Sequence, residues 1–245
     1  MTANWYYLIH DSYACRRGKG VDAAIDRARY FSRRCPWHLK LDVRKYFDSI
    51  DHEILKILLR KRFKDRILLS LFDQIINGYS KDPGKGVPIG NLTSQYFANH
   101  YLAPLDHYIR EQLRCHYYVR YMDDCIIWQD SKESLKEIHQ KIREYLKKHL
   151  LLELKPDCLN RICHGLTFLG YRIFPWEMRL SNRSKERFQR KIRLYHENYL
   201  KGDWSEEEIA RHVEPLLSFV KRAESESFRR MVLSNMGLCP KARTA

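Results

Sequence analysis

Two adjacent carboxylates, Asp123 and Asp124, stand inside an otherwise apolar stretch and constrain this chain more than any other feature. They close the tetrapeptide Tyr121-Met122-Asp123-Asp124, flanked by Tyr117-Tyr118-Val119 and Ile126-Ile127-Trp128. β-branched and aromatic residues on both sides of a short polar break predict a β-hairpin. The break lacks the Asn-Gly or Asp-Gly pair that two-residue turns prefer. Neighbouring carboxylates at a strand tip repel each other, and beside apolar strands they are costly unless a cation neutralises them. The pattern points either to a divalent-metal site or to a solvated acidic turn, since Asp is common in turns.

The charge distribution bears on that choice. The chain of 245 residues carries a formal charge of +15, which favours a polyanionic partner: nucleic acid first, an acidic membrane surface second. Residues 1–66 hold 16 Lys/Arg against 8 Asp/Glu, residues 67–180 hold 15 against 13, and residues 181–245 hold 14 against 9. Two basic ends flank a nearly neutral middle, as expected of a groove with acidic chemistry at its floor. The alternative is that many of these cations only solvate helix faces. Apolar residues make up 44%, enough for a sizeable core.

Seven cysteines with no Cys-x-x-Cys predict no disulfide framework and a reducing compartment. Cys158, Cys163 and His164 have the wrong spacing for zinc and lack an evident fourth ligand. No apolar run reaches the length of a membrane span, and Met1 to Tyr7 lack the layout of a signal peptide, so a cytoplasmic location is expected.

Along the chain, Leu39, Leu41 and Val43 alternate with Lys40, Asp42 and Arg44, which predicts a strand containing Asp42. Asp51 is placed to cap a helix with Ile54, Leu55, Leu58, Leu59 and Phe63 on one face. A second helix carries Ile67, Leu68, Leu71, Phe72, Ile75 and Ile76, a stripe read as core. Asn91 or Thr93 would cap a helix running to Leu113, kinked or divided by Pro104. Ser131 would cap a helix bearing Leu135, Ile138, Ile142 and Leu146. Leu150–Leu154 reads as a strand, and Phe168–Ile173 as a strand or tight hairpin. From Ser181 the chain is helical, with Phe188, Ile192, Tyr195 and Tyr199 on one stripe, Gly202 as a C-terminal cap, and Ser205 with Glu208 as a capping box. Pro215 should interrupt that last helix, and a further periodic stretch runs through Phe228 and Met231 to Gly237.

Asp42 on one strand and Asp123-Asp124 on a neighbouring hairpin could hold two Mg²⁺ ions for in-line phosphoryl transfer, which needs several carboxylates. On these residues the chain resembles the reverse transcriptases. Leu39 to Asp48 matches the first palm motif of that family, and Tyr121-Met122-Asp123-Asp124 matches its catalytic hairpin. Leu154-Lys155-Pro156 looks like its lysine-bearing motif, and Phe168-Leu169-Gly170-Tyr171 resembles its primer-grip turn. Four ordered motifs are far more specific than one. Pro88-Ile89-Gly90-Asn91-Leu92-Thr93-Ser94-Gln95 in place of Pro-Gln-Gly resembles the enzymes of diversity-generating retroelements. So do Ser12 to Gly20, Phe97-Ala98-Asn99 and Leu105-Asp106.

The resemblance implies an α+β, right-hand polymerase. A small antiparallel palm sheet would span 39–176, with fingers/palm helices at about 52–86, partial fingers at 1–38 and a helical thumb at 177–245. The fingers are expected to be reduced, because the chain starts almost inside the Ser12 motif. Asp42, Asp123 and Asp124, with Val43, would hold two Mg²⁺ ions, for which Mn²⁺ can substitute. Phe47 would gate the sugar, and Ile89, Gly90 and Gln95 would shape the dNTP pocket. Arg16, Arg17 and Lys19 would meet the triphosphate or template backbone, Lys155 the leaving pyrophosphate, and Leu169, Gly170 and Tyr171 the primer. Each has a plainer alternative: core packing for Phe47, a solvated basic loop for Arg16 to Lys19, a surface lysine for Lys155 and a helix-capping loop for Gly90 and Gln95. The implied activity is error-prone cDNA synthesis from an RNA template and a cDNA primer strand, with dNTPs and a small basic accessory protein. The alternatives are a retron- or group II intron-like reverse transcriptase, against whose intron type the Ile89-Gly90 pair argues, and a catalytically silent RNA-binding subunit with the palm shape. Intact Asp42, Asp123 and Asp124 argue against the silent subunit.

Overall fold

The alternation around Asp42 does form a strand, β1 (Trp37–Leu41), and it ends one residue before the aspartate rather than including it. In this computed structural model, which describes residues 8–156 and 158–236, the chain divides into two compact units, Met1–Cys163 and His164–Ala245. Met1 to Tyr7, Gly237 and Cys239, on which expectations rested, lie outside the described residues.

In the first unit, α1 (Val21–Ser32) precedes β1. Three helices follow: the single turn α2 (Tyr46–Ser49), α3 (His52–Arg62) and α4 (Arg66–Asn77). Asp51 and Asp65 cap α3 and α4 by accepting two backbone N–H groups each. The α4 stripe is only partly core: Ile76 is buried and Phe72 and Ile75 pack against the core, whereas Ile67 and Leu71 are exposed. Asn91 starts α5 (Leu92–Tyr101) without a side-chain cap. The division expected at Pro104 is present: α6 (Ala103–His107) begins with the proline in its first turn, where a missing N–H is harmless, and a π-helical turn Tyr108–Gln112 ends it.

The hairpin follows as β2 (Tyr118–Tyr121) and β3 (Asp124–Gln129), then α7 (Lys132–Tyr145), capped by Ser131. Leu150–Leu154 is not a strand. A second π-helical turn carries the chain to Leu150, Leu151 reverses it with φ 49°, and only Leu154 pairs, in a single bridge to Val43. Leu150 and Leu152 serve instead as buried plugs. The strand that completes the sheet is β4 (Cys158–Arg161), giving the antiparallel order β2-β3-β1-β4.

Period-2 alternation gives this sheet two different faces. Leu39, Leu41, Cys125 and Ile127 join the main core with Leu55, Leu59, Phe97, Tyr101, Ile138 and Ile142. Each such burial contributes roughly 1.5–3 kcal/mol. On the other face Trp128 meets Phe31 of α1 edge-on and donates from Nε1 to Ser32. Lys40, Asp42 and Asp124 continue along that second face beyond Trp128.

The second unit has a three-stranded sheet, β5 (Leu166–Phe168), β6 (Tyr171–Ile173) and β7 (Met178–Leu180), in that order. It is followed by α8 (Asn182–Leu200), α9 (Glu206–Lys221) and α10 (Glu226–Ser234). The Ser205–Glu208 capping box is formed. Pro215 does not break α9, contrary to expectation. The bond it removes is to the carbonyl of the exposed Arg211, where water can substitute. Among the described residues no helix is long and apolar enough to cross a membrane.

Candidate active site

The end of β1 and the β2–β3 turn bring the predicted carboxylates together. Leu41 pairs with Cys125, so Asp42 emerges beside Asp124 and the turn residue Asp123. Lysines neutralise two of the three: Lys40 Nζ lies 2.9 Å from Asp124 Oδ1, and Lys155 Nζ donates to Asp42 Oδ2 at 2.8 Å. Asp42 Oδ1 is buried with no hydrogen-bond partner. Burial, reinforced by the Asp42 and Asp124 charges, holds the Asp123 carboxyl above its usual range against its own backbone N–H and Lys155. An under-satisfied, mutually repelling set of oxygen donors of this kind suits a hard divalent cation. As the side chains stand, no three His, Cys, Asp or Glu among the described residues meet closely enough to hold one.

The turn itself is held from below. Met122 occupies the left-handed region with φ 55°, a conformation costing a non-glycine residue about 1–2 kcal/mol. Arg120, two residues earlier, donates from Nη1 to the Met122 carbonyl at 3.0 Å. Its guanidinium is fully buried and forks onto Asp106 of α6, with Nε to Oδ1 at 2.7 Å and Nη2 to Oδ2 at 2.6 Å. Nη1 also reaches Asn99 Oδ1 at 3.0 Å, and Nη2 the Asn99 carbonyl at 3.3 Å. Tyr118 donates to Asp106 Oδ1 at 2.7 Å, and Asn99 Nδ2 to the Ala14 carbonyl at 2.9 Å.

The other expected residues fall into groups. Val43 is buried beside Asp42, and Phe47 is half-buried with its ring edge-on to Tyr46 at 5.6 Å. Ile89 is 77% exposed and packs under nothing, while Gly90 has φ 103° and open space around it. Gln95 accepts from Cys15 Sγ at 2.9 Å, which ties α5 to the basic loop. Within that loop Arg16 spends Nη1 on the Ile9 and Ser12 carbonyls, Lys19 sits 3.1 Å from His10 Nε2, and Arg17 is exposed. Leu169 and Gly170, with φ 46° and 88°, form the β5–β6 turn of the second unit. There Gly170 is required: a Cβ would meet Phe219 at 2.8 Å and Ser184 Oγ at 2.9 Å. Tyr171 is buried and donates to the Phe219 carbonyl.

A match to the family "Reverse transcriptase (RNA-dependent DNA polymerase)" spans residues 7–173. The chain belongs to the reverse transcriptase family. Among curated relatives of this chain, the COX1/OXI3 intron 2 protein of Saccharomyces cerevisiae is 25% identical, across 69% of this chain and 27% of its own length. Protein YkfC of Escherichia coli is 26% identical, across 66% of this chain and 54% of its own. The chain thus spans about a quarter to a half of those relatives. Among solved structures, telomerase from Candida albicans, determined with a fragment of telomeric RNA, superposes with TM-score 0.56 at 12% identity, over 91% of this chain and 44% of that one. Apo telomerase from Candida tropicalis gives 0.55 at 15%, over 91% and 48%. These likenesses establish a polymerase-like fold for the chain.

Sequence reasoning missed Lys40 and Arg120, and met Asn99 and Asp106 only as family motif residues. A signal for Arg120 was present: a cation inside the apolar run Tyr118-Val119 needs a buried partner. For Lys40 the signal was its position two residues before Asp42, on the same strand face.

Proposed function

We propose that this chain is an RNA-directed DNA polymerase that extends a primer strand along an RNA template from dNTPs. The observation that carries the reading is the placing of Asp42, just past the end of β1, beside the β2–β3 turn that bears Asp123 and Asp124, with Asp42 Oδ1 buried and unpartnered. Asp42, Asp123 and Asp124 would hold two Mg²⁺ or Mn²⁺ ions, with Val43 able to offer only its main-chain carbonyl. When bound, these ions supply Lewis acidity at the attacking hydroxyl and the leaving pyrophosphate. The primer 3′-hydroxyl gives up its proton to water, and its oxygen bonds to the α-phosphorus as the bond from that phosphorus to the bridging oxygen breaks. Lys155, exposed beside Asp42, donates a proton or hydrogen bond to the departing pyrophosphate. Phe47 stands one short turn beyond Asp42 and closes the space a 2′-hydroxyl would need. Ile89, Gly90 and Gln95 border the nucleotide, Arg17 and Lys19 complement phosphate, and the Leu169-Gly170-Tyr171 turn grips the primer. In residues 177–245, read as the thumb, Arg187 and Lys191 line an open cleft of about 360 Å³ beside Phe188 and are suited to backbone phosphates.

The finer reading is error-prone cDNA synthesis of the diversity-generating kind, in the cytoplasm, with a small basic accessory protein. It rests on the Ile89-Gly90 motif and is supported by the exposure of Ile89. A second reading, intron-type cDNA synthesis, is favoured by the intron protein among the relatives.

The test is primer extension on an RNA template with Mg²⁺ or Mn²⁺. Asp123→Asn should abolish extension while template–primer binding persists. Polymerisation by the Asp123→Asn, Asp124→Asn double variant would remove the reading.

A further inference from the structure

Every nitrogen of the Arg120 guanidinium is engaged in hydrogen bonds within the first unit. A guanidinium has five N–H donors. Here all five have acceptors: Asp106 takes two, Asn99 takes two, and the Met122 carbonyl takes the fifth. Both members of the ion pair are fully buried. A buried ion pair is weak as a stabilising device, since well-packed apolar side chains of similar volume commonly serve a fold as well or better. Stability alone therefore does not account for it. What an apolar replacement cannot do is hold the Met122 carbonyl, one residue from Asp123, in a turn whose first residue has left-handed φ.

We propose that Arg120 is a positioning residue for the catalytic turn: through the Met122 carbonyl it sets where the Asp123 carboxylate stands. Asp106 and Asn99 set Arg120 in turn. The proposal rests on the polymerase reading for its consequence but not for its geometry. The anchor is rigid because it draws on separate elements. Asp106 belongs to α6 and Asn99 to α5, and Asn99 is itself tied to the Ala14 carbonyl. Asn99 lies four residues after Gln95, on the same helix face, and Gln95 is tied to Cys15. The nucleotide-side helix, the basic loop and the carboxylate turn are therefore joined through one guanidinium. Lysine cannot substitute. It has three donors on a single atom, and no position of that atom reproduces a fork onto Asp106 together with the bonds to Asn99 and Met122.

The experiment uses the full chain, with two variants. Arg120→Lys keeps the charge. Tyr118→Phe/Asp106→Leu/Arg120→Met replaces the buried polar set with apolar side chains and leaves Asp42, Asp123 and Asp124 intact. Each is measured for its melting transition, for Mn²⁺ binding by electron paramagnetic resonance without nucleotide, for template–primer affinity, and for kcat and dNTP KM. A positioning role predicts folded variants whose Mn²⁺ affinity and kcat each fall about 10- to 100-fold. Template–primer affinity should stay near wild type. The Mn²⁺ measurement decides the matter even where the wild-type chain extends no primer, so failure of the polymerase reading is distinguishable. Folded variants with wild-type Mn²⁺ affinity would overturn the proposal. So would failure of both variants to fold, which assigns Arg120 to the core alone.

Discussion

Lys155 binds Asp42 twice: its backbone N–H donates to the Asp42 carbonyl at 2.9 Å, and its Nζ to Asp42 Oδ2 at 2.8 Å. The main-chain bond fixes the lysine beside the carboxylate whatever its side chain does. Its hydrogen bond to Asp42, with the nearby acidic charges, holds the ammonium above the usual lysine range, so it stays protonated across any working pH. Lys155→Met should lower kcat about 100-fold. Stability should change by under about 1 kcal/mol, because the side-chain pair is largely exposed. Single-turnover kinetics at matched stability check this; an unchanged kcat would leave Lys155 as a tether only.

Phe47→Ala should raise ribonucleotide incorporation relative to deoxyribonucleotide about tenfold or more, if the ring is the sugar gate we propose. The ring is also half-buried against the core, so the variant should lose roughly 1–3 kcal/mol of stability. Side-by-side incorporation assays separate the two effects. Lost stability with unchanged discrimination would make Phe47 a packing residue.

Ile89 is too exposed for its replacement to matter to folding, and Ile89→Gln should change stability by no more than about 0.5 kcal/mol. Isoleucine offers the nascent pair no donor or acceptor. Restoring a polar check worth about 1–3 kcal/mol should reduce misincorporation roughly 5- to 150-fold. The reduction is expected opposite template adenines above all. Sequencing cDNA made by both proteins on one adenine-rich RNA measures it, and identical error spectra would sink the error-prone reading of this position.

His38 faces Trp128 and Asn160 across its neighbouring strands and is buried, with Nδ1 unpartnered. Burial, with the nearby Lys40, depresses its pKa from 6.5 to about 4. The folded state therefore binds this proton later than the unfolded chain. The resulting stability is complete above pH 6.5 and is lost as pH falls towards about 4, a loss of about 3 kcal/mol. Asp123 acts in the opposite sense, since a raised carboxyl protonates more readily when folded. The informative quantity is thus the difference between wild type and His38→Gln in urea midpoints at pH 7, 5.5 and 4. A difference independent of pH would contradict the assignment.

Much of the fold was legible locally. Asp51, Ser131 and Ser205 cap the helices they precede, Pro104 divides its helix, and the hairpin closes over Met122 and Asp123. Each rests on preferences that act within a few residues, so the sequence alone determines it. The three carboxylates could be paired from sequence because motif order carried information that no single segment held.

Tertiary structure decided the rest, for a physical reason. Leu150–Leu154 has strand composition, yet Leu150 and Leu152 plug the core and its backbone pairs only at Leu154. The third partner of the β1–β3 pair is the unremarkable Cys158–Arg161, chosen by which edge stood open. Arg120 is bonded to residues 14 and 21 positions away, and Lys40 to Asp124 across a strand pair. Where a buried charge finds its partner depends on which elements the packed core brings together. That juxtaposition is a property of the whole chain, and no window of neighbouring residues contains it.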